Sequence, residues 1–124
     1  MKFIQITNQT RPDVKPILAK YCRTFFCQLR GLMFTKSLPD QYGLLLVQGA
    51  DSRVNSSIHM MFMWMDLAVI WITSEMTVVD AIHAKRWKIG YLPKQPAKYV
   101  LEIADTHLND FCVGDQVSFE EMNL

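Results

Sequence analysis

Thr24-Phe25-Phe26-Cys27-Gln28-Leu29-Arg30-Gly31 is the stretch in which the apolar period of the chain departs from two. Phe25, Phe26, Leu29, Leu32 and Met33 recur at helical spacing. Thr24 is placed as an N-cap, and Gly31 suits a helix stop. A short helix is therefore predicted over about Thr24–Arg30. Outward from it, the chain reads as strands. Towards the N-terminus, Lys2–Thr7 alternates, Arg11–Pro16 is a connector, and Ile17–Cys22 is a second strand. Towards the C-terminus, Gly43–Gln48 is a short buried strand, followed by a polar loop over residues 49–56. Ser57–Met65 and Leu67–Ile72 are apolar on both faces and read as central strands. Thr73–Met76 is a hairpin turn, and Thr77–His83 returns from it. Tyr91–Ala97, with two prolines, is extended or irregular. Lys98–Ile103 alternates, Asp105 is placed to cap a helical turn through Asn109, and Gln116–Glu120 closes the chain through the Gly114-Asp115 turn. The expectation is one mainly β domain over residues 1–124.

Composition narrows the class further. The 124 residues are half apolar and one-fifth charged, which suits a globular domain with a real core. A net charge of +1 offers no overall attraction to nucleic acid or an acidic membrane. The N-terminus turns polar at once, so no signal peptide is read and a cytoplasmic location is expected. The longest apolar run, Ile58–Ile72, contains His59 and Asp66 and is short for a bilayer span. Cys22, Cys27 and Cys112 form no Cys-x-x-Cys; their odd number predicts three reduced thiols.

Three islands carry a resemblance. Arg30-Gly31-Leu32-Met33-Phe34 is followed by Leu38-Pro39 and Gly43-Leu44-Leu45-Leu46-Val47. Ser57-Ile58-His59-Met60-Met61-Phe62-Met63 comes next, then Tyr99-Val100-Leu101-Glu102-Ile103 with Gly114-Asp115-Gln116-Val117. In this order, from about Cys22 to Val117, they resemble DUF192, a family of small bacterial and archaeal domains of unknown function. The resemblance implies a compact single-domain pseudo-barrel or bifurcated sheet with one or two short helices, and no established activity. One departure stands out. Many relatives carry Pro-Ile-Asp or Pro-Leu-Asp where this chain has Asp66-Leu67-Ala68, so the acid sits two places earlier. Two places is one pleat period, which keeps it on the same side of a strand.

Each candidate site residue has a plain structural reading beside the functional one. His59, inside an apolar run, is a base or ligand candidate, but a buried imidazole with satisfied hydrogen bonds is the simpler reading. Arg30 can hold a carboxylate or phosphate; the favoured reading is that it bonds the last carbonyls of the helix. Asp66 either accepts backbone bonds at a bend or faces His59 and Arg30 across a cleft. Lys85-Arg86-Trp87-Lys88, with Tyr91, Lys94 and Lys98, interleaves cations and rings as a weak nucleic-acid surface would. The simpler alternative is a solvated loop whose Trp87 packs on the core. Met60, Met61, Met63 and Met65 read as core filler rather than copper(I) ligands. No metal or cofactor motif is present, nor a nucleophile motif. The reading favoured is a non-catalytic domain binding a small ligand or a protein partner, with Arg30, His59 and Trp87 as contacts. The alternatives are a small enzyme built on Arg30, His59 and Asp66, or weak nucleic-acid binding through Lys85–Lys98.

Overall fold

The computed structural model describes residues 2–123. Its strands are β1 (Phe3–Asn8), β2 (Ile17–Cys22), β3 (Tyr42–Ser52), β4 (Leu67–Ile72), β5 (Val78–Ala84), β6 (Ala97–Ala104) and β7 (Val117–Met122). One α-helix, α1 (Phe25–Arg30), and one 3-10 helix (Asp105–Asp110) complete the described elements. The strands form one seven-stranded sheet in the order β5-β4-β6-β3-β2-β1-β7. The fold is thus mainly β, as the sequence predicts.

One pairing explains the helix. β2 and β3 run parallel, whereas the other neighbours are antiparallel. Parallel neighbours need a crossover of a dozen residues or more. Residues 23–41 provide it, and α1 is its folded part.

Period-2 alternation divides the core between the two faces of the sheet. Leu45, Val47, Ala68, Ile70, Leu101 and Ile103 pack on one face. Leu44, Leu46, Leu67, Val69, Trp71 and Val100 pack on the other. β3, β4 and β6 are buried on both sides, so they form the centre of the domain. Glu102 falls between Leu101 and Ile103 and so points to the same face as Val100.

The sheet does not close along its length. Its edge strands meet at one end, where Thr77 bridges Gln116, Val78 N donates to Asp115 O at 2.9 Å and Gly114 N donates to Val78 O at 2.8 Å.

Ser57–Met65 is not a strand. It is a loop laid on the second face, touching strand geometry only where Ile58 bridges Tyr91. Ile58, Met60 and Met63 are buried there, so the loop is apolar because it covers the sheet. Its backbone is satisfied by other loop segments: Met60 N donates to Lys88 O at 2.9 Å, and Trp87 N to Met60 O at 2.7 Å. Trp71 Nε1, from beneath, donates to Ser56 O at 2.8 Å. β3 also outruns its predicted end, because an irregularity between Val47 and Ser52 lets it continue through the polar segment. Asp105 begins the 3-10 helix but does not cap it with its side chain.

Candidate functional site

α1 stands over the face that carries Glu102. Its start is fixed by Thr24, whose Oγ1 accepts from Cys27 N at 3.1 Å. Its end is closed by Gly31 N donating to Cys27 O at 2.8 Å. Gly31 has φ +48 and ψ −126, a conformation open to glycine and strained for other residues. Gln28 pins the helix to β3: its Nε2 donates to Val47 O at 2.8 Å, and its Oε1 accepts from Gln48 Nε2 at 2.8 Å.

A disulfide joins Cys22 to Cys27, with Cα atoms 5.7 Å apart, which overturns the expectation of three reduced thiols. The N-cap turn brings Cys27 back over the end of β2, inside the range a disulfide can span. Counting cysteines does not reveal that turn. Cys112 remains the free, exposed thiol.

Beneath Gly31 lies the Glu102 carboxyl. A Cβ on Gly31 would sit 3.7 Å from Glu102 Oε1. On the strand side, β3 passes so close to β6 that a Cβ on Gly43 would meet Glu102 O at 2.5 Å. Gly43 therefore lets β3 approach this residue, whereas at Gly31 the contact would be an ordinary one and the positive φ is what calls for glycine. Glu102 is 5% exposed; among the described residues no hydrogen bond reaches its carboxyl, and no fully enclosed side-chain oxygen or nitrogen lacks a partner, so the carboxyl keeps contact with open space. Burial pushes its pKa up from 4.5 to about 7.

The carboxyl opens into a small cleft of about 50 Å³, lined among others by Gln28, Arg30, Gly31, Ser57 and His59. That is room for a few water molecules. Arg30 and Gly31 also border a larger cavity of about 380 Å³, lined in addition by Lys20, Thr35 and Tyr42. Phe26, which lines the larger cavity, and its neighbour Phe25 are 74% and 81% exposed; separately, Phe34, Phe62 and Trp87 form a chain of ring contacts of 5.6 and 5.4 Å.

Arg30 and His59 meet in this cleft, as the sequence allowed. Arg30 makes no side-chain hydrogen bond or ion pair among the described residues, so it is not the carbonyl cap it was expected to be. The Gly31 turn has already satisfied the helix end. His59 spans two segments: its Nε2 faces Leu29 O at 2.9 Å, and its Nδ1 accepts from Met61 N at 3.2 Å. Both ring nitrogens are engaged, one donating and one accepting. His59 ties the covering loop to α1.

Asp66 lies elsewhere. Its Oδ1 accepts from Arg86 N and Arg86 Nε, each at 2.9 Å. The backbone and side-chain bonds from Arg86 lower its pKa against the opposing effect of burial. Arg86 is thereby occupied, Lys88 lies over the Tyr91 ring at 4.5 Å, and Lys98 over Tyr99 at 5.5 Å. Trp87 sits edge-on to Phe62. Much of the basic-aromatic segment is thus paired within the chain. Glu102 was missed because Tyr99–Ile103 read only as a strand. In the sequence the alternation aligns it with Lys98 and Val100, which reads as a solvent face until that face is known to be covered.

Comparison with known proteins agrees with this architecture. The family DUF192, described as Uncharacterized ACR, COG1430, matches residues 5–119. A UPF0127 protein of Thermococcus gammatolerans is 40% identical over 117 residues, covering 93% of this chain and 74% of the relative. Another, of Thermococcus kodakarensis, is 40% identical over 97 residues, and the match covers 78% of this chain and 60% of that protein's length. Among solved structures, a candidate transcription regulator from Sinorhizobium meliloti superposes with a TM-score of 0.84 at 16% identity, over 96% of this chain and 94% of its own. At that identity the likeness concerns the fold alone. Among the described residues, no helix is long and apolar enough to cross a membrane. With 115 consecutive residues matched, from 5 to 119, the chain belongs to the uncharacterised DUF192 family.

Proposed function

We propose that this chain is a non-catalytic binding domain that takes the polar end of a small ligand in the cleft lined by Arg30 and Glu102, the rest of the ligand lying in the larger cavity that Arg30 also borders. The observation that carries this reading is a pair of uncommitted groups. Among the described residues, a largely buried carboxyl that makes no hydrogen bond but touches the cleft, and a guanidinium without an ion pair, border one concavity. Buried polar groups are normally satisfied, and one left open at a cavity suits a ligand or water. Arg30 offers a planar fork for a carboxylate or phosphate. Glu102 donates a hydrogen bond when protonated and accepts when ionised. The engagement of both His59 nitrogens supports a binding role over acid-base chemistry. The exposed Phe26 at the larger cavity, with Phe25 beside it, suits a ligand with an apolar end or a protein partner.

The test is a thermal-shift panel of small carboxylates, amino acids and inorganic phosphate on the parent protein, Arg30→Ala and Glu102→Gln. A compound that stabilises the parent but neither variant is expected. Equal stabilisation of all three would place the site elsewhere. The enzyme reading keeps one favourable observation: a Glu102 pKa near 7 suits a general acid or base. It requires turnover that Glu102→Gln abolishes.

A further inference from the structure

We propose a second site, separate from the cleft: Asp66, His83 and Asp105 form a three-ligand site for a first-row divalent cation of the zinc type. The sheet itself assembles it. Leu67 pairs with Ala84 on one side and with Ala104 on the other. Asp66 precedes Leu67, His83 precedes Ala84, and Asp105 follows Ala104. Three ligands are thus brought together at one end of β4 by two antiparallel ladders, not by loop wandering. One ligand atom from each lies within 4.8 Å of the others.

The distances suit a shared ion better than direct bonds. His83 Nε2 is 3.4 Å from Asp66 Oδ2 and 3.4 Å from Asp105 Oδ2. A good N–H···O bond is about 2.9 Å. Ligands about 2.0–2.1 Å from a tetrahedral zinc ion stand about 3.4 Å apart along each edge. Asp66 is already oriented for the task. Arg86 N and Nε hold its Oδ1 at 2.9 Å each, which leaves Oδ2 for the ion, as outer hydrogen bonds do at known metal sites. The three side chains are 20%, 40% and 46% exposed, which leaves an entry path and a fourth position for water. One imidazole and two carboxylates suit zinc or its neighbours. Magnesium and calcium prefer six or more oxygens.

The test is a titration of metal-free protein with cobalt(II), then zinc(II). One equivalent of cobalt should give the visible absorption of a tetrahedral ion, and zinc should displace it. Zinc should raise the melting temperature, while magnesium at the same concentration should not. His83→Ala and the near-isosteric Asp105→Asn should each weaken zinc affinity by about 100-fold or more, with unchanged circular dichroism. No binding by the parent would overturn the proposal. So would equal affinity in parent and His83→Ala, or binding that disappears in Cys112→Ser instead.

Discussion

Glu102 shows how one residue sets the pH behaviour of this domain. Its carboxyl has a pKa of about 7 in the folded chain and 4.5 in its ordinary state. Between those values the folded protein holds a proton that the unfolded chain has released. The resulting stability is fully present below pH 4.5 and is lost as pH rises through about 7. The loss amounts to roughly 3 kcal/mol, from the size of the shift. Glu102→Gln cannot ionise, so its urea midpoint should fall less than the parent's between about pH 5 and pH 8. Parallel curves for the two proteins would mean that Glu102 is hydrated or paired in solution. Arg30 should behave in the opposite way. Arg30 is exposed and its side chain has no hydrogen bond or ion pair among the described residues, so Arg30→Ala should change stability by less than about 0.5 kcal/mol while losing ligand. A larger loss in urea denaturation would restore the capping role. Arg30 and His59, which both line the cleft, stand out in the sequence by residue type. Glu102 does not, since a strand's alternation shows its value only once both faces are known to be buried. Asp66 misled: its place in the chain is near His59, but the loop between them carries it to Arg86.

At the scale of elements, α1 was the best-read part of the chain. Its N-cap, length and glycine stop are all local, and local signals survive without tertiary knowledge. The loop over Ser57–Met65 was the worst-read. Its apolar residues face a sheet, and burial by covering looks the same in sequence as burial by pairing. The Cys22–Cys27 disulfide belongs to this scale, because it fastens α1 to the end of β2. Closing so short a loop limits the unfolded chain by roughly 2 kcal/mol in the chain-entropy account. Cys27→Ser should lower stability by about that amount and increase hydrogen exchange in α1 more than in β4. Thiol titration of denatured, unreduced protein should find one free group, that of Cys112. Three free groups would mean the bridge does not form in solution.

At the scale of the molecule, a mainly β fold was legible because the alternation of β1 and β6 and the short apolar run of β4 are clear, but the strand order was not. Periodicity says that a segment is a strand without naming its neighbour, and here β6 enters between β3 and β4. Least visible was how the open edges of the sheet are held. β5 and β7 lie at opposite ends of the strand order, yet they meet through Asp115 and its neighbours. Asp115 Oδ2 accepts from Asn8 Nδ2 at 2.9 Å and Cys112 N at 2.8 Å, and Arg11 Nε lies 3.2 Å away. Burial works to raise its pKa, but the bonds from Asn8 and Cys112 and the Arg11 charge outweigh it, so the value is lowered. The stability Asp115 supplies is therefore present above its ordinary value of 3.8 and is lost as pH falls through its lower folded value. Asp115→Ala should destabilise by roughly 1–3 kcal/mol, because a buried Asn8 amide loses a charged acceptor. It should also weaken the acid-induced loss of stability. The local sign is amide exchange at Val78 and Gly114, whose N–H groups cross between the edges. Both should exchange faster in the variant, while Leu101 in the central strand changes only by the global loss. If Val78 and Gly114 stay as protected relative to Leu101 as in the parent, the edges are held by the packing of Val78 and Val117 rather than by this carboxylate.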